Sequence, residues 1–439
     1  MTQTMTQRIL IVGAGAIAHH HAAAARLIPG AAILAADPSE PARTRFAEAF
    51  PEAALFETPH AMLAANPAGP RDIVIVAVPP WLHAPLATMA LAAGYHVLCE
   101  KPLGRNLDEV DEILAAAAKA GRMVGDCSVR FNGQPAMARA RELIAEGSIG
   151  ALNLVRMVNR NPRMRPGLEY QPVSRWFLNR DKAGGGVLMD WAVYDIAMLF
   201  DVLRPTAVTI RAAWTGGVDG RDDPPAFPVD VESHAAAMME LTLGDGQVVP
   251  LLYERANGVN GPALYELSVE GRTGGLGWQW LPPYEDGGTR VTRYIDQGDK
   301  VATEVEVLPM GAHPHYHHAP LLALAERIAG RPSVSLDEAG IRFNFAVVAA
   351  VYDVAASRQP VTKSASVNSS LSTTEVSYLG MGTAMKFGPV TLLGKEYFVP
   401  RRPSTLSKLD RGVPLLASKQ WHTSTVLSLD RVHASESLQ

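Results

Sequence analysis

Cysteine, long apolar runs and basic runs are all scarce in this sequence. Its 439 residues contain two cysteines, Cys99 and Cys127, too few for a disulfide framework, so we expect two buried free thiols in a reducing compartment. No stretch approaches the ~20 continuous apolar residues of a membrane span. Residues 1–8 lack the apolar core of a signal peptide. The net charge of -4 gives no reason to expect a nucleic acid. These absences predict a cytoplasmic protein with neither a membrane nor a nucleic acid as partner.

What is present is an ordinary globular composition with alternating strand and helix patterns. Apolar residues make up 47% of the chain and charged residues 19%, and the length suffices for two or three domains. Short apolar segments alternate with helix-like segments over residues 1–127. This alternation predicts an α/β fold whose N-terminal domain is a doubly wound parallel sheet, with ligands beyond the carboxyl ends of its strands.

A glycine-containing turn between the first strand and the first helix carries the strongest ligand signal. Residues 13–18 (GAGAIA) follow the apolar strand at Arg8–Val12 and match GxGxxA, a variant of the dinucleotide-binding fingerprint. Gly13 permits the tight turn, and Gly15 lets the backbone approach a pyrophosphate. Ala18 allows the helix to pack closely on the sheet.

The residues around this turn also indicate which dinucleotide is bound. The helix N-terminus, at Ala16 and Ile17, presents free N–H groups and the positive end of its dipole to the phosphates. A second strand, residues 31–36, ends in Asp37, about 20 residues past the glycines, where an acid holds the ribose hydroxyls of the adenosine. Asp37 would repel a 2′-phosphate, and the next two residues supply no cation. The sequence therefore predicts NAD as the cofactor and makes NADP less favoured.

Two further strands end in residues that we expect at the same cleft. An apolar central strand ends at Pro79, and the next strand ends in a glutamate followed by Lys101. Gly13, Asp37, Pro79 and Lys101 thus all follow carboxyl ends of strands, where such sheets bind their ligands.

The pattern changes after residue 127. Longer strands of alternating character predict that residues 128–363 form an α+β domain with an open, mostly antiparallel sheet, backed by helices that include one over residues 187–203. The exposed face of such a sheet needs a partner, so we expect a homo-oligomer, either a dimer or a tetramer. Residues 364–439 are richer in Ser and Thr and have poor periodicity, which predicts a poorly ordered extension of unknown role.

Six short segments of the chain carry a joint resemblance. They are the GxGxxA turn at 13–18, PWLH at 80–83, EKP at 100–102, GGGVLMD at 184–190, VEGRTGGL at 269–276 and SRQPV at 357–361. Together, over about residues 7–363, they resemble the Gfo/Idh/MocA family, the relatives of glucose–fructose oxidoreductase and inositol dehydrogenase. Most members oxidise or reduce a hydroxyl of a sugar or cyclitol with a nicotinamide cofactor. The resemblance therefore implies an NAD(P)-dependent oxidoreductase that acts on CH–OH groups.

The resemblance also implies a pair of residues that face the substrate. Many relatives carry Asp-x-x-x-His after the glycine turn. Here that pattern runs from Asp190 to Tyr194, so a tyrosine stands at the histidine position, which is similar to glucose–fructose oxidoreductase-like members. Residues four apart on a helix share a face, so both side chains are expected to point at the bound sugar.

A mechanism follows from the resemblance. Lys101 hydrogen-bonds the reacting hydroxyl and stabilises developing alkoxide, and it depresses the pKa of the Tyr194 phenol. Tyr194 then serves as general base in oxidation or general acid in reduction. Asp190 either orients the sugar through a second hydroxyl or holds Lys101. Glu100 and His83 are implied to lie on the cofactor side of the pocket.

Two other functions stay open at this stage. A glycosidase of this family would use bound NAD transiently, oxidising the sugar, eliminating the aglycone and reducing again. A non-catalytic NAD-sensing protein would bind NAD without turnover. Net NADH formed from a free sugar distinguishes the dehydrogenase from both.

Two histidine-rich segments need an interpretation. Residues 313–318 (HPHYHH) look like a metal-binding tract, yet no acid or cysteine stands nearby in the sequence, and the chemistry of the resembled family needs no metal. We predict no metal site, with one or two of these histidines at the mouth of the pocket. The three histidines at 19–21, in the first helix, are predicted to form a solvated edge.

Overall fold

Two compact units divide the chain. In this computed structural model, the described residues are 7–162, 173–217, 229–284, 287–311 and 313–364, together with the backbone of two strands at Phe387–Leu392 and Lys395–Pro400. The first unit comprises residues 1–374 and 432–439, and the second comprises residues 375–431. In the second unit the two strands pair as an antiparallel hairpin. Apart from these two strands, residues 365–439 of the extension predicted at 364–439 lie outside the described residues.

The N-terminal sheet is built from six short, mostly apolar strands. They are β1 (Arg8–Val12), β2 (Ala32–Ala36), β3 (Ala54–Phe56), β4 (Ile73–Val76), β5 (His96–Cys99) and β6 (Val124–Asp126). All neighbours pair in parallel, in the order β3-β2-β1-β4-β5-β6. This order confirms the predicted doubly wound fold. It reverses between β1 and β4, and such a reversal opens a ligand crevice beyond the strand ends.

Helices cover both faces of this sheet, which is why its central strands are apolar on both sides. The helices are α1 (Ala16–Ala25), α2 (Glu40–Ala49), α3 (Pro59–Ala65), α4 (His83–Ala92), α5 (Leu107–Ala120) and, from later in the chain, α9 (Ala319–Ile328) and α10 (Glu338–Ser357). One face is packed by α1, α2 and α9, and the other by α3, α4, α5 and α10. These two helices, α9 and α10, therefore pack on the nucleotide-binding domain although they come much later in the chain.

The second sheet has nine strands. They are β7 (Leu152–Asn161), β8 (Ala207–Gly216), β9 (His234–Thr242), β10 (Val248–Asn257), β11 (Leu264–Gly271), β12 (Gly274–Trp278), β13 (Gly288–Asp296), β14 (Val301–Pro309) and β15 (Val361–Ser364). Their order is β14-β13-β12-β11-β7-β10-β9-β8-β15. The β7–β10 pair is parallel, and the other pairs are antiparallel. The predicted open, mostly antiparallel sheet is confirmed.

The sequence pattern does not predict β13. Its inward side chains, Thr289 and Val291, are fully buried, but only one of them is apolar. The other residues of the strand GTRVTRYID are largely polar, and most of them are partly or fully exposed to solvent. Two flanking strands supply its backbone partners. Pairing in the sheet, rather than local apolar periodicity, therefore determines this strand.

Helices pack on the other face of the second sheet. They are α6 (Pro135–Ala145) and α8 (Val193–Leu203), and α10 reaches this face as well. The single-turn α7 (Arg180–Ala183) packs instead against two short 3-10 helices, at Pro80–Leu82 and Arg175–Leu178. The predicted helix at 187–203 does not begin as a regular α-helix, because Leu188–Ala192 forms a π-helical turn that leads into α8. Such turns are rare and occur often at functional sites.

A buried ion pair attaches α8 to the sheet. Both side chains, Asp195 of α8 and Arg255 of β10, are at most 1% exposed, and the guanidinium donates from Nε to Asp195 Oδ2 at 2.9 Å and from Nη2 to Oδ1. The Tyr253 hydroxyl donates to the same carboxylate at 2.8 Å. Arg255 also lies over the ring of Trp191, 4.6 Å from its centroid. This network therefore positions the π-helical turn as well as α8.

We expect Arg255→Met to lower the free energy of unfolding by about 3–5 kcal/mol, because it leaves the Asp195 carboxylate buried without its charged partner. Chemical denaturation measures this change. The exposed pair Arg331–Glu326 provides the control, and Arg331→Ala should leave the unfolding midpoint nearly unchanged. If Arg255→Met unfolds at the wild-type midpoint, the ion pair does not stabilise the fold.

In the part of the chain that the structure describes, one helix, α10, is long and apolar enough to cross a membrane by length and composition alone. Its side chains Ile341 and Phe345 belong to the core beside the first sheet, and Val347 and Val351 belong to the core beside the second. Core helices pass the same test, so the length and composition of α10 are weak evidence for a membrane span.

Candidate active site

The turn after β1 has the close packing that its glycine requires. Gly13 has φ +98°, and a Cβ atom there would lie 2.3 Å from the Ala77 carbonyl oxygen at the end of β4. A Cβ on Gly15, in contrast, would meet no protein atom within 4 Å. The first residues of α1, Ala16 and Ile17, line the cleft. This geometry fits a diphosphate lying against the helix N-terminus.

Asp37 lies at the end of β2, beside this turn. Its Oδ2 accepts a hydrogen bond from the Ala14 N–H at 2.8 Å, and its Oδ1 accepts one from the Ser39 N–H at 2.8 Å. The next two residues in the sequence supply no cation, but Arg43 of α2 donates to the Asp37 carbonyl oxygen at 2.7 Å. A helical turn carries Arg43 back to the strand end, which the adjacent residues in sequence do not reveal.

The turn after β4 frames the opposite wall. Val78, Pro79 and Pro80 line the cleft. His83 is 1% exposed, and its two ring nitrogens lie 2.7 Å from the Val78 carbonyl oxygen and 2.8 Å from the Pro102 carbonyl oxygen. Burial lowers the pKa of His83, and its hydrogen bonds to these carbonyls oppose that shift. His83 thus joins the turns after β4 and β5, while its contact with a cofactor stays a prediction.

Lys101 follows β5 and reaches the second domain. Its Nζ donates to Asp190 Oδ1 at 2.5 Å and to the Asp190 carbonyl oxygen at 2.9 Å. The peptide bond between Lys101 and Pro102 is cis. Of the two roles expected for Asp190, the structure shows the one that holds Lys101. The two side chains are 16% and 12% exposed, so the ammonium is largely but not wholly removed from water.

The glycine run before the π-helical turn allows the chain to approach a buried carboxylate. A Cβ on Gly186 would lie 1.8 Å from the Glu232 carbonyl oxygen. The Glu232 side chain accepts hydrogen bonds from the N–H groups of Gly186 and Leu188 and from the Tyr352 hydroxyl, at 2.7–3.1 Å. These contacts fix the turn that carries Asp190.

Tyr194 lies one helical turn further along, with its ring buried. Lys101 does not contact its hydroxyl; Lys101 Nζ lies over the ring face, 4.7 Å from the centroid. The group at the phenol oxygen is Arg130, whose Nη1 donates to Tyr194 Oη at 2.8 Å. Because the oxygen accepts from Arg130, its own proton remains available to a substrate oxygen in the cleft.

Arg130 belongs to a buried chain of charges. Its Nη2 donates to Glu100 Oε1 at 2.7 Å, and the same oxygen lies 2.8 Å from His21 Nε2. The prediction that histidines 19–21 form a solvated edge is wrong for His21, which is fully buried. Glu100 lines the cleft, but its polar partners lie within the protein. Its direct contact with a cofactor stays a prediction.

The electrostatics of this chain of charges identify the cation that acts most strongly on Tyr194. Burial raises the pKa of Tyr194 well above its ordinary value, the Arg130 guanidinium opposes this rise, and the Glu100 and Asp190 carboxylates add to it. Burial also opposes ionisation of Glu100, but Arg130 and His21 outweigh it and hold the Glu100 pKa well below its ordinary value. Tyr194 is therefore a protonated phenol at neutral pH. Arg130 is the cation that acts most strongly to lower its pKa, and the predicted effect of Lys101 stays a prediction.

A single cleft collects these residues from both domains. Its cavity volume is about 320 Å³, within the range of small-molecule sites. Lys101, Arg130, Asp190 and Tyr194 meet in it, next to the nucleotide turn. Aromatic rings form much of the remaining wall, from Trp176, Phe177, Trp191, Phe131 and Tyr316. An apolar wall with a few convergent polar groups suits a ring-shaped polyol, whose C–H faces pack on aromatic rings.

Sequence reasoning missed Arg130. It follows β6 in a short 3-10 helix at Cys127–Phe131, at the carboxyl end of a strand of the parallel sheet. The rule that placed Gly13, Asp37, Pro79 and Lys101 in the cleft therefore also applies to Arg130. The domain boundary predicted at residue 127 separates it from that strand.

The fold and the cleft define a two-domain protein whose Rossmann domain and α+β domain share one site. Residues 7–126 match the family described as "Oxidoreductase family, NAD-binding Rossmann fold", and residues 137–267 match "GFO/IDH/MocA C-terminal domain". The chain belongs to the Gfo/Idh/MocA family of oxidoreductases.

Known relatives in this family include proteins named for sugar chemistry. The chain is 34% identical over 157 residues to 1,5-anhydro-D-fructose reductase of Ensifer adhaerens, and this aligned region covers 35% of this chain and 44% of that protein. It is 29% identical over 191 residues to levoglucosan dehydrogenase of Pseudarthrobacter phenanthrenivorans, and this aligned region covers 39% of this chain and 47% of that protein. The chain therefore spans less than half the length of these two relatives.

Solved structures show the same fold over most of the chain. The structure of levoglucosan dehydrogenase in complex with NADH superposes with a TM-score of 0.66 at 21% identity, and the match covers 82% of this chain and 99% of that one. At this identity the likeness shows the fold alone.

Proposed function

We propose that this protein is an NAD-dependent oxidoreductase that transfers a hydride between NAD and a hydroxyl or keto carbon of a sugar, sugar derivative or cyclitol. One observation carries the proposal. Lys101 from the nucleotide-binding domain and Tyr194 from the second domain converge beside the nucleotide turn, so a substrate oxygen between them would lie next to a bound nicotinamide. The names of the relatives support a sugar as substrate.

NAD supplies the hydride chemistry when bound. In the direction of reduction, Tyr194 donates its proton to the substrate oxygen. Arg130 then stabilises the resulting phenolate through the hydrogen bond that it already makes at 2.8 Å. Lys101, an ammonium held by Asp190, faces the substrate oxygen and stabilises the negative charge that develops on it. In oxidation the same groups act in reverse, with Tyr194 as the base.

Glu100 and His21 contribute indirectly to this mechanism. A buried arginine is costly unless it is paired and hydrogen-bonded, and Glu100 provides that pair at 2.7 Å. The side chain of Glu100 is 8% exposed, so it stays inside the protein and fixes the direction of the Arg130 fork. His21 holds the same carboxylate from the side of α1. These contacts pre-position the donor that faces Tyr194.

The position of Asp37 supports NAD as the preferred cofactor. We expect Asp37→Ser to raise kcat/KM with NADP by roughly 10–100-fold relative to wild type. The change removes the carboxylate that would repel a 2′-phosphate, and it leaves Arg43, which donates to the carbonyl oxygen of residue 37, nearby. A charged hydrogen bond from Arg43 would contribute about 1.5–3 kcal/mol. NADPH binding measured by fluorescence provides the same comparison without a substrate.

The matched control for this change is Asp37→Ser combined with Arg43→Ala, which should lose the gain with NADP. The idea that Arg43 adopts this role fails if the double variant keeps the gain. The preference for NAD itself fails if the wild-type protein already binds NADPH as tightly as NADH.

A substrate panel tests the proposed reaction. Sugars, sugar acids and cyclitols, with levoglucosan and 1,5-anhydro-D-fructose included, are incubated with NAD or NADH and followed at the NADH absorbance. Net formation or consumption of NADH with at least one of them supports the proposal. Release of an aglycone from glycosides without net NADH would instead identify a glycosidase, and tight NAD binding with no turnover would identify a sensor.

The outer face of the second sheet supports the expectation of a homo-oligomer. Trp214, Met238, Val248, Val301 and Val305 are each more than half exposed there, and apolar patches on soluble proteins often mark interaction surfaces. Sedimentation equilibrium of the wild-type chain and of Met238→Lys tests this. The cytoplasmic location and the independence from nucleic acids and membranes stay predictions.

A further inference from the structure

Three histidines from distant parts of the chain converge outside the catalytic cluster. His20 lies in α1, and His315 and His318 lie in the segment that leads into α9. One ring nitrogen of each lies within 4.8 Å of the other two. None of the hydrogen bonds described above for Lys101, Arg130 and Tyr194 involves these three histidines.

Aromatic packing already orients the rings. The His20 ring stacks on His317 with the centroids 4.2 Å apart and lies nearly parallel to the His315 ring at 6.1 Å. The His315 and His318 rings are 5.2 Å apart. His315 is exposed and the other two are half-buried, so an ion from solvent can reach the cluster.

The three imidazoles supply ligand atoms that suit a transition-metal ion. A neutral imidazole has a free lone pair on one nitrogen, as metal ligation requires, and histidine nitrogens are common ligands of Zn²⁺. The positive charge of Arg130, in the catalytic cluster, is paired with Glu100.

Small movements bring the cluster to metal-binding distances. Zn–N bonds of about 2.0–2.1 Å in a tetrahedral site separate the ligand nitrogens by roughly 3.4 Å, so the rings need to close by about 1.4 Å at most. His315 Nδ1 accepts a long hydrogen bond of 3.3 Å from the His317 N–H. That bond places the His315 proton on Nε2, so ligation through Nε2 requires the tautomer to change and this weak bond to be lost.

We propose that His20, His315 and His318 form a binding site for one divalent transition-metal ion of the Zn²⁺ class, with the fourth coordination position taken by water. Such an ion would tie α1, which begins at the nucleotide turn, to the segment whose Tyr316 and His317 line the cleft. The proposal differs from the expectation based on the sequence, which is that the histidine-rich segment binds no metal.

The cluster of His21, Glu100 and Cys127, whose ligand atoms also lie within 4.8 Å of one another, does not compete for this role. Glu100 is paired with Arg130 and His21, and burial holds the pKa of the Cys127 thiol well above its ordinary value. A metal there would have to displace a buried arginine from its carboxylate and deprotonate a buried thiol.

Titration of the full-length, untagged and chelator-treated protein with Zn²⁺ by calorimetry tests the proposal. We expect one equivalent to bind with a dissociation constant of about 10 µM or tighter. Co²⁺ in place of Zn²⁺ should give the intense visible absorption of a four-coordinate ion. His20→Ala and His318→Ala should each weaken binding by about 100-fold or more, beyond the 10–100-fold cost of losing an outer partner.

Two histidines outside the cluster provide the controls, His313 in the same tract and the exposed His60 of α3. His313→Ala and His60→Ala should leave the affinity for Zn²⁺ unchanged. The absence of a stoichiometric site in wild type, or full retention of binding in His20→Ala and His318→Ala, would overturn the proposal. Far-UV circular dichroism confirms that each variant is folded before titration.

Discussion

Lys101→Ala is expected to lower kcat by about 10³-fold while the affinity for NADH changes by less than threefold. The reason is electrostatic. Lys101 is a cation held at 2.5 Å by Asp190, and both side chains are mostly buried. Removing one pre-positioned donor at a developing oxyanion typically costs 10²–10³ in kcat. Steady-state kinetics with the substrate found in the panel gives kcat, and NADH fluorescence gives the affinity.

The matched control is Lys119→Ala, which removes an exposed lysine from the last turn of α5. It should leave kcat within twofold of wild type. Asp190→Asn provides a second comparison, because it keeps the size of the side chain but removes the charge that holds the ammonium. We expect its kcat to lie between those of wild type and Lys101→Ala. Wild-type turnover in Lys101→Ala would remove Lys101 from the mechanism.

Tyr194→Phe is expected to lower kcat by about 10²–10⁴-fold, the range that general acid–base catalysis contributes. The ring that packs edge-on against Phe131 at 5.3 Å is retained, so the variant should fold. It leaves Arg130 Nη1 without its acceptor, and the Glu100–Arg130 pair remains. Thermal unfolding checks the fold, and full activity in Tyr194→Phe would contradict the acid–base assignment.

The pH dependence separates the acid–base role of Tyr194 from a packing role. The pKa of Tyr194 is raised by burial, so the phenol keeps its proton above the pH at which an exposed tyrosine ionises. The rate of reduction, which needs the protonated phenol, should therefore persist into the alkaline range, and the rate of oxidation should rise as pH increases. Both dependences should flatten in Tyr194→Phe.

Arg130→Met sharpens this comparison. Arg130 is the cation that opposes the rise in the Tyr194 pKa, so its removal should move the alkaline rise in the oxidation rate to higher pH. A variant that only loosens packing would lower the rate at every pH without moving the profile. Arg130→Lys should restore part of the shift, because it returns a positive charge without the two-pronged fork.

Local sequence determined most of the first domain and much of the second. Apolar strands that alternate with helices cannot bury both faces of a sheet in any simpler way than a doubly wound fold, and GxGxxA permits a backbone turn with φ +98° that other residues rarely adopt. The positions of Asp37, Pro79 and Lys101 followed from the rule that ligands lie beyond strand ends. These inferences rest on residues close to one another in the chain.

The tertiary structure decided which groups meet in the cleft. Arg130 reaches Tyr194 across 64 residues, and His21 reaches Glu100 across 79, distances over which no periodicity operates. The π-helical turn under Asp190 depends on the buried carboxylate of Glu232, and Arg43 returns to Asp37 only through the geometry of α2. Which buried charges form pairs depends on the residues that meet in the folded chain, and not on their spacing in the sequence. For that reason the lysine was evident from the sequence, whereas the group that governs the tyrosine became evident only in the folded chain.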